Sequence, residues 1–600
     1  MNVHALFHQA KSEYSYAYDD KKLHILFRTM KDDVKSVSLS YGDPFDWTYH
    51  NKKAHWESQI VPMEKRYSTK LFDYYFIEVE PKDYRCKYGF LIEADGKHFF
   101  YGSKRMETLN GAPSKDFDEG SFYDLSNYFN YPYLNKEDLA DTPAWVKDTV
   151  WYQIFMDRFY SHHKKSNLPW GKHPVYNHEF YGGDILGVVD KLPYLKDLGI
   201  TGIYFTPIFE SRTAHKYDTK DYFKIDSQFG TNEDFKYLVE QAHKLGIKVV
   251  LDAVLNHCGW DHPFFQDVVK HGRKSKYADC FYLDKDPIFN FEITKEGLPK
   301  YDGHLRPNYR TFAYTPFMPK WNTSNEIAQK HLLDSIEYWI KEYDIDGWRL
   351  DVSNEVSHDF LRKVKEVSRK AKKDTFIFGE NWDSSIPWLR GDQMDAVMNY
   401  DLSIPLWQYF DGKISTEELK NEMIQYTALT PKNVMQNMFN QLDTHDTVRM
   451  KRRLNDNDNR LKIAYLLMFA SAGAPNIYYG SEVGLTGDHD PDNRRCFNWD
   501  ESTWNKDLHQ FIKTLIYLRN EHTSFKASDY HFIDKESLSF IKKDDNESLL
   551  FLINDSKNIV KLNIDLQYQG NYLDLIAQKE FNLGSSIELK AYGYLILKRK

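Results

Sequence analysis

Between residues 1 and about 125 the chain alternates apolar and polar positions with a period of two. The apolar sets are Leu23, Ile25 and Phe27; Val37, Leu39 and Tyr41; Tyr75, Ile77 and Val79; and Tyr84, Cys86, Tyr88, Phe90 and Ile92. Alternate side chains share one face of a strand, so each run predicts a strand buried on one side. Asp95-Gly96, between two such runs, is a hairpin-turn pair, because both central turn positions need positive φ. Residues 1–125 are predicted to form an antiparallel β-sandwich. A polar stretch with Tyr131-Pro132 and Thr142-Pro143 follows, and 126–144 reads as a linker.

From Trp145 the period changes. Short apolar runs (VWYQIF at 150, GIYFT at 202, KVVLDAV at 248, GWRLDV at 347, TFIFGE at 375, DAVMNY at 395, VMQNMF at 434, NIYYGSE at 476) alternate with helical segments such as NEDFKYLVEQAHKLG at 232. Strands buried on both faces of a parallel sheet read this way, and eight of them predict a (β/α)8 barrel over 145–520. The aromatic, turn-rich stretch 257–325 after strand three is too long for a structureless loop, so it predicts a subdomain over the rim. Alternation returns beyond 520 (Leu549, Phe551, Ile553; Tyr592, Tyr594, Ile596), predicting a C-terminal β-sandwich over 521–600. The fold class is α/β: a TIM barrel with an inserted subdomain and a β-domain at each end.

Composition narrows the functions available. A chain of 600 residues exceeds one hydrophobic core. Its net charge is −9 with Lys and Arg scattered, which excludes the basic footprint of a nucleic-acid binder. The four cysteines (Cys86, Cys258, Cys280, Cys496) fit no CxxC spacing and are too few to staple the chain, pointing to a reducing compartment. The N-terminal residues hold no apolar signal-peptide core. The most apolar window, 463–480, is broken by Gly, Pro and Asn before it reaches the length of a membrane span. The expectation is a cytoplasmic protein without a membrane partner.

Three acids close apolar runs: Asp351 in GWRLDVSNE, Glu380 in TFIFGENWD and Asp446 in FNQLDTHDT. Barrel enzymes build their sites at the C-terminal ends of strands, and paired carboxylates there are the equipment of glycoside hydrolysis. Arg349 and Asp351, two apart, point to the same side, where the guanidinium would hold Asp351 ionised as a nucleophile. Glu380 follows Phe376, Ile377 and Phe378, and partial desolvation there favours a protonated acid. Asp446 with His445, from a later strand, suits bonding to sugar hydroxyls in a flattened transition state. Taken singly each motif is more often structural, a salt bridge or a helix cap.

Together with DAVLNH at 252, these stretches in this order resemble the four signature segments of the α-amylase family of glycoside hydrolases: Asp252, Asn256 and His257; Arg349 and Asp351; Glu380; His445 and Asp446. FMPKWN at 317, FYGGDILG at 180, TAHKYDT at 213 and SEVGLTGDHDPDNRRCFNWD at 481 resemble its cyclomaltodextrinase, neopullulanase and maltogenic amylase branch, with Trp321 where Leu is usual. The resemblance implies Asp351 as nucleophile, Glu380 as acid and then base, and Asp446 as transition-state stabiliser. It implies that His257, Arg349 and His445 bond the sugar at the cleavage point while Tyr217 stacks on it. Asp490 and Arg494 would contact the next unit on the non-reducing side, and Glu355 and Trp382 the leaving-group side.

The implied activity is retaining hydrolysis of α-1,4 bonds in cyclodextrins, maltooligosaccharides and pullulan, with transfer to sugar acceptors as a side reaction, in a homodimer whose N-terminal sandwich narrows the partner's cleft. Selection among glucans is expected to depend on Trp321, on Asp383 and on that sandwich. The loop YSHHKKSNLPWGK at 160–172 lacks the Asn and Asp ligands by which many relatives hold calcium; Gly182 and Asp184 remain, too few for a tight site, so neither a metal nor a cofactor is expected. An oligo-α-1,6-glucosidase fits less well, given the sandwich and MPKWN, and a non-catalytic relative fits less well still, given the intact acids.

Overall fold

The alternating runs of the N-terminal region fold as two facing sheets, in a computed structural model that describes residues 1–50, 53–113, 124–164, 166 and 168–600. Leu23–Met30 pairs antiparallel with Phe72–Val79 in one sheet, and Ser36–Gly42 with Cys86–Ala94 in the other. Leu23, Ile25, Phe27 and Tyr75 from the first meet Val37, Leu39, Tyr88, Phe90 and Ile92 from the second in one buried cluster. The pattern of period two is thus satisfied by burial between sheets. Asp95 (φ 52°) and Gly96 (φ 71°) form the expected left-handed pair joining Cys86–Ala94 to Lys97–Tyr101.

Two details depart from the pattern. Tyr84 precedes its strand, in the left-handed region at φ 63°. Phe129–Tyr131, inside the stretch read as linker, is a strand paired with Cys86–Ala94, because Phe129 and Tyr131 pack on the sandwich core. The compact unit comprises Met1–Asp141 together with Ser415–Met435. Its helix Thr416–Leu429 sets Ala428 among Tyr14, Leu26, Tyr67, Tyr74 and Phe76.

The second unit, Thr142–Ile414 with Gln436–Lys600, holds the barrel. Its strands are β1 (Trp151–Ile154), β2 (Gly202–Phe205), β3 (Lys248–Ala253), β4 (Gly347–Leu350), β5 (Phe376–Gly379), β6 (Ala396–Val397), β7 (Phe439–Asn440) and β8 (Ala474–Tyr478). Neighbours run parallel from β6 through β5, β4, β3, β2, β1 and β8 to β7, and a parallel bridge between Met398 and Phe439 joins the two ends. Five of the eight predicted runs form strands over most of their length, while DAVMNY contributes only Ala396–Val397 and NIYYGSE only its first three residues. In VMQNMF only the last residue does: Val434 and Met435 lie in the helical turn Lys432–Met435, whose amides turn back to the carbonyl of Pro431.

After β3 the chain leaves the rim and returns alongside itself. Cys258 N donates to Pro319 O (3.1 Å), Trp260 N to Phe317 O (2.7 Å) and Trp321 N to Asn256 O (3.0 Å). The intervening subdomain is held by aromatic packing, Trp260 against Phe265 and Phe289, and Phe265 against Phe281 and Tyr309. Trp321 belongs to this packing rather than to a substrate surface: it is 1% exposed, stacks on Phe281 at 4.8 Å and donates its Nε1–H to the Tyr222 hydroxyl at 3.1 Å. The C-terminal region adds a six-stranded sheet with a two-stranded partner around Leu550, Leu552, Leu562, Tyr572 and Leu597. Tyr592 lies outside its strand, Tyr594–Arg599, at φ 55°.

Candidate active site

Strand β4 ends at Leu350 and β5 at Gly379, so Asp351 and Glu380 are the first residues beyond two buried strands, at the C-terminal mouth of the barrel. Gly379 is required there. A Cβ would fall 2.2 Å from Met394 Sδ and 2.3 Å from Ser353 Oγ. On β4, Arg349 lies opposite Asp252 of β3 and is fully buried. Its Nη1 donates to Asp351 Oδ1 (2.8 Å) and Asp252 Oδ2 (2.9 Å). Its Nη2 lies 2.7 Å from Glu380 Oε2, angled as an ion pair rather than a hydrogen bond. Asp252 also accepts from the hydroxyls of Tyr204 (2.6 Å) and Tyr217 (3.1 Å). It anchors the guanidinium.

The expectation that Arg349 alone holds Asp351 ionised needs correction. Burial pushes the Asp351 carboxyl well up; Arg349 opposes this, while Glu380, Asp252 and Asp446 push the same way as burial. Burial raises Asp252 likewise. One guanidinium therefore serves three carboxylates, those of Asp252, Asp351 and Glu380, and its charge is divided among them.

Val352, after Asp351, adopts φ 44° and ψ 42°. That region costs a β-branched residue about 1–3 kcal/mol. The turn aims the Val352 N–H at Glu380 Oε2, 3.2 Å away. Glu380 Oε1 accepts from Trp382 Nε1 at 2.9 Å, and the Trp382 ring stacks on Tyr400 at 3.9 Å. The acid is thus oriented from two sides.

His445 and Asp446 lie beyond the short β7 in a loop rather than on a strand. The fully buried His445 ring lies parallel to Tyr217 at 5.4 Å and hydrogen-bonds its hydroxyl. Its Nδ1 lies 2.8 Å from Gln153 Nε2 and its Nε2 3.0 Å from Asp446 Oδ2. Arg494 donates to Asp446 Oδ1 (3.2 Å) and approaches Asp490 (3.5 Å). Burial would raise Asp446, but His445, Arg494 and Arg349 outweigh it and hold the carboxyl well below its ordinary range. His257 is pushed down to about 3, first by burial and then by the Lys320 charge, so it is neutral. Its Nε2 is buried without a hydrogen-bond partner, and its ring stacks on Phe312 at 5.0 Å.

These groups surround a cavity of about 500 Å3. Asp351, Glu380, Asp446, Tyr217, His257, Glu355, Trp382, Asp490 and Arg494 line it, as the sequence suggests, while Arg349 and His445 lie beneath as supports. Asp383 is exposed and outside the lining. The lining also includes Asn177, His215, Phe312, Met318, Val352 and Asn354, which sequence reasoning did not select. His215 was within reach, two residues from Tyr217 in TAHKYDT. Phe312 was not, because it comes from the subdomain, where no periodic pattern marks it.

Residues 153–543 match the family model for the alpha amylase catalytic domain, and residues 1–135 that for the alpha amylase N-terminal ig-like domain. The chain belongs to the α-amylase family. A cyclomaltodextrinase of Geobacillus thermopakistaniensis is 39% identical over 609 residues, covering 99% of each chain. An intracellular maltogenic amylase of Bacillus subtilis is 39% identical over 593 residues, covering 97% of this chain and 94% of the relative. A solved cyclomaltodextrinase superposes with a TM-score of 0.89 at 37% identity, covering 100% of both chains. This α-amylase family member is a glycoside hydrolase of the cyclomaltodextrinase and maltogenic amylase type.

In the loop after Phe159 the Asp184 carboxylate is taken up by protein donors. Oδ1 accepts from Gly187 N (2.7 Å) and His162 N (3.1 Å), and Oδ2 from His163 N (3.1 Å) and His163 Nδ1 (3.0 Å). Lys165 and Asn167 of this loop lie outside the described residues. Among the described residues no group of three His, Cys, Asp or Glu is placed to hold a metal, and no helix is long and apolar enough to cross a membrane.

Proposed function

We propose that this hydrolase cleaves α-1,4-glucosidic bonds in cyclodextrins and maltooligosaccharides with retention of configuration, pullulan being a further substrate and transfer to sugar hydroxyls a side reaction. Asp351 attacks the anomeric carbon while Glu380 gives its proton to the departing oxygen, forming a β-glycosyl ester. Glu380, now ionised, takes a proton from water or a sugar hydroxyl, which attacks the ester and restores the α configuration. Asp446, kept ionised by its cations, stabilises positive charge at the ring. Tyr217 and His257 contact the sugar at the cleavage point, Asp490 and Arg494 the next unit on its non-reducing side, and Glu355 and Trp382 the leaving group.

The observation that carries this reading is the sharing of Arg349, with Asp351 on one terminal nitrogen and Glu380 on the other. One guanidinium thus brings a candidate nucleophile and a candidate acid to neighbouring positions at the barrel mouth, as direct displacement with proton donation requires. The names of the full-length relatives support cyclodextrin and maltooligosaccharide substrates and an intracellular setting.

Homodimerisation is part of the proposal, supported by a two-stranded hairpin of the N-terminal unit, beside which Phe45 (75%) and on which Trp47 and Tyr49 (77%) are exposed, an apolar surface suited to a second copy. The test is product analysis on β-cyclodextrin, pullulan and starch, following the anomer by proton NMR. Early α-anomer and fastest turnover of cyclodextrin are expected. Early β-anomer would overturn the mechanism, and preference for starch the substrate assignment.

A further inference from the structure

Lys320 sits in the returning segment of the subdomain, and the mechanism above leaves it without a task. Its backbone is fixed on both sides by the hydrogen bonds of Cys258 to Pro319 and of Trp321 to Asn256. The side chain is therefore delivered from a rigid support to the ends of β3 and β4. There its ammonium meets three oxygens: Asn256 Oδ1 in a close hydrogen bond, the Glu355 carbonyl at 3.1 Å and Glu355 Oε2 at 3.4 Å. The side chain is 20% exposed, so these oxygens replace most of its water.

Both partners lead to the cavity. Asn256 presents Oδ1 to the ammonium and so turns its Nδ2 toward His257 Nδ1, 3.3 Å away. His257 Nε2 is buried without a hydrogen-bond partner. Glu355 lines the cavity in the turn that also holds Asp351, Val352 and Asn354. A protein-borne cation is thus bound by one residue beside the sugar-contacting imidazole and by another on the opposing strand end.

We propose that Lys320 is a positioning residue that clamps the ends of β3 and β4, fixing the Asn256 amide against His257 and the Glu355 turn at the leaving-group side of the cleft. This rests on the assignment of Glu355 to that side. Losing the ammonium leaves the nucleophile and acid intact, since neither touches it, but frees the turn on which the leaving-group sugars rest. Asn256 Oδ1 and the Glu355 carbonyl then lose their common donor, a loss felt most at the buried Asn256, because Glu355 is half exposed and can turn to water.

The test compares wild type, Lys320→Met and Lys320→Arg on two substrates: maltotriose, whose leaving group is a sugar, and p-nitrophenyl α-maltoside, whose leaving group is a phenol. Circular dichroism and thermal unfolding check each fold. In Lys320→Met, kcat/KM on maltotriose should fall at least tenfold, chiefly through KM, with less than a threefold fall on the nitrophenyl glycoside. Lys320→Arg should recover most of the maltotriose activity. Equal losses on both substrates, or none on maltotriose, would overturn the role of Lys320. If Lys320→Met does not fold, the comparison passes to Asn256→Asp, which keeps an oxygen for the ammonium but removes the donor toward His257. That variant should raise KM for both substrates, and unchanged KM values would overturn the clamp. Wild type inactive on both would instead refute the hydrolase reading itself.

Discussion

Trp382 donates its indole N–H to Glu380 Oε1 at 2.9 Å, so a ring that lines the cavity also orients the proposed acid. The Val352 amide holds the other carboxyl oxygen at 3.2 Å. Trp382→Phe keeps a ring over Tyr400 but removes the donor. A fall of about tenfold in kcat is expected, the value of one hydrogen bond to a charged or reacting group. Steady-state kinetics on maltotriose check it, and an unchanged kcat would show that the Val352 amide suffices.

Asp351→Asn leaves shape and the Arg349 contact in place but removes the nucleophile. Turnover should fall at least about a thousandfold, as when a catalytic nucleophile is lost, while calorimetric binding of maltotriose persists. Residual activity of more than a few per cent is incompatible with the assignment.

Val352 pays for its position in backbone strain. Val352→Gly relieves about 1–2 kcal/mol of left-handed strain and loses a comparable amount to the freer unfolded chain. Thermal unfolding should therefore change little, whereas kcat should drop several-fold because the amide no longer holds Glu380. Lower stability at constant kcat would show that the turn serves folding alone.

Glu482 is fully buried beneath the barrel mouth, accepting from the hydroxyls of Tyr152 (2.7 Å) and Tyr194 (2.8 Å). Burial pushes its carboxyl up from 4.5 to about 7, outweighing both hydroxyls. The folded value exceeds the unfolded one, so the stability this group confers is complete below about pH 4.5 and is lost as pH rises to about 7. The full span corresponds to about 3 kcal/mol. Glu482→Gln keeps the acceptor and removes the titration. A plot of Tm against pH between 5 and 7 should flatten in the variant, and an unaltered slope would exclude Glu482 as a source of the dependence.

Because Asp184 spends both oxygens on protein donors, EDTA followed by dialysis should leave Tm and activity unchanged. Atomic absorption should find no stoichiometric calcium. A Tm that drops on chelation and returns with added calcium would reverse this reading.

The barrel was legible because its strands are buried on both faces and end in chemically distinctive residues; GWRLD and TFIFGE carry both signals in a few positions. VMQNMF misled because Pro431 starts a helical turn that consumes its first residues, a tertiary choice that apolar character cannot report. Phe129 and Tyr131 looked like linker because Pro132 and Pro143 dominated the reading, although their rings pack on the sandwich core. The candidate acids Asp351, Glu380 and Asp446 stood out through their neighbours. The sharing of Arg349 did not, since it depends on three carboxyls, from β3 and the ends of β4 and β5, meeting one guanidinium. Trp321 drew attention as an unusual residue and proved to be core packing, whereas Phe312, nine residues earlier, reaches the cavity without any sequence signal.

The subdomain leaves the rim at Asn256 and rejoins it at Trp321, and those two residues are hydrogen-bonded at 3.0 Å. Its two ends are thus stapled together at the mouth, so the barrel registers only a closed junction, whatever lies beyond. The insert is in effect an exchangeable cassette: provided that His257 and Lys320 at its two ends are kept, a different length or shape of roof could be spliced between them, recasting which glucans enter without disturbing the acids below.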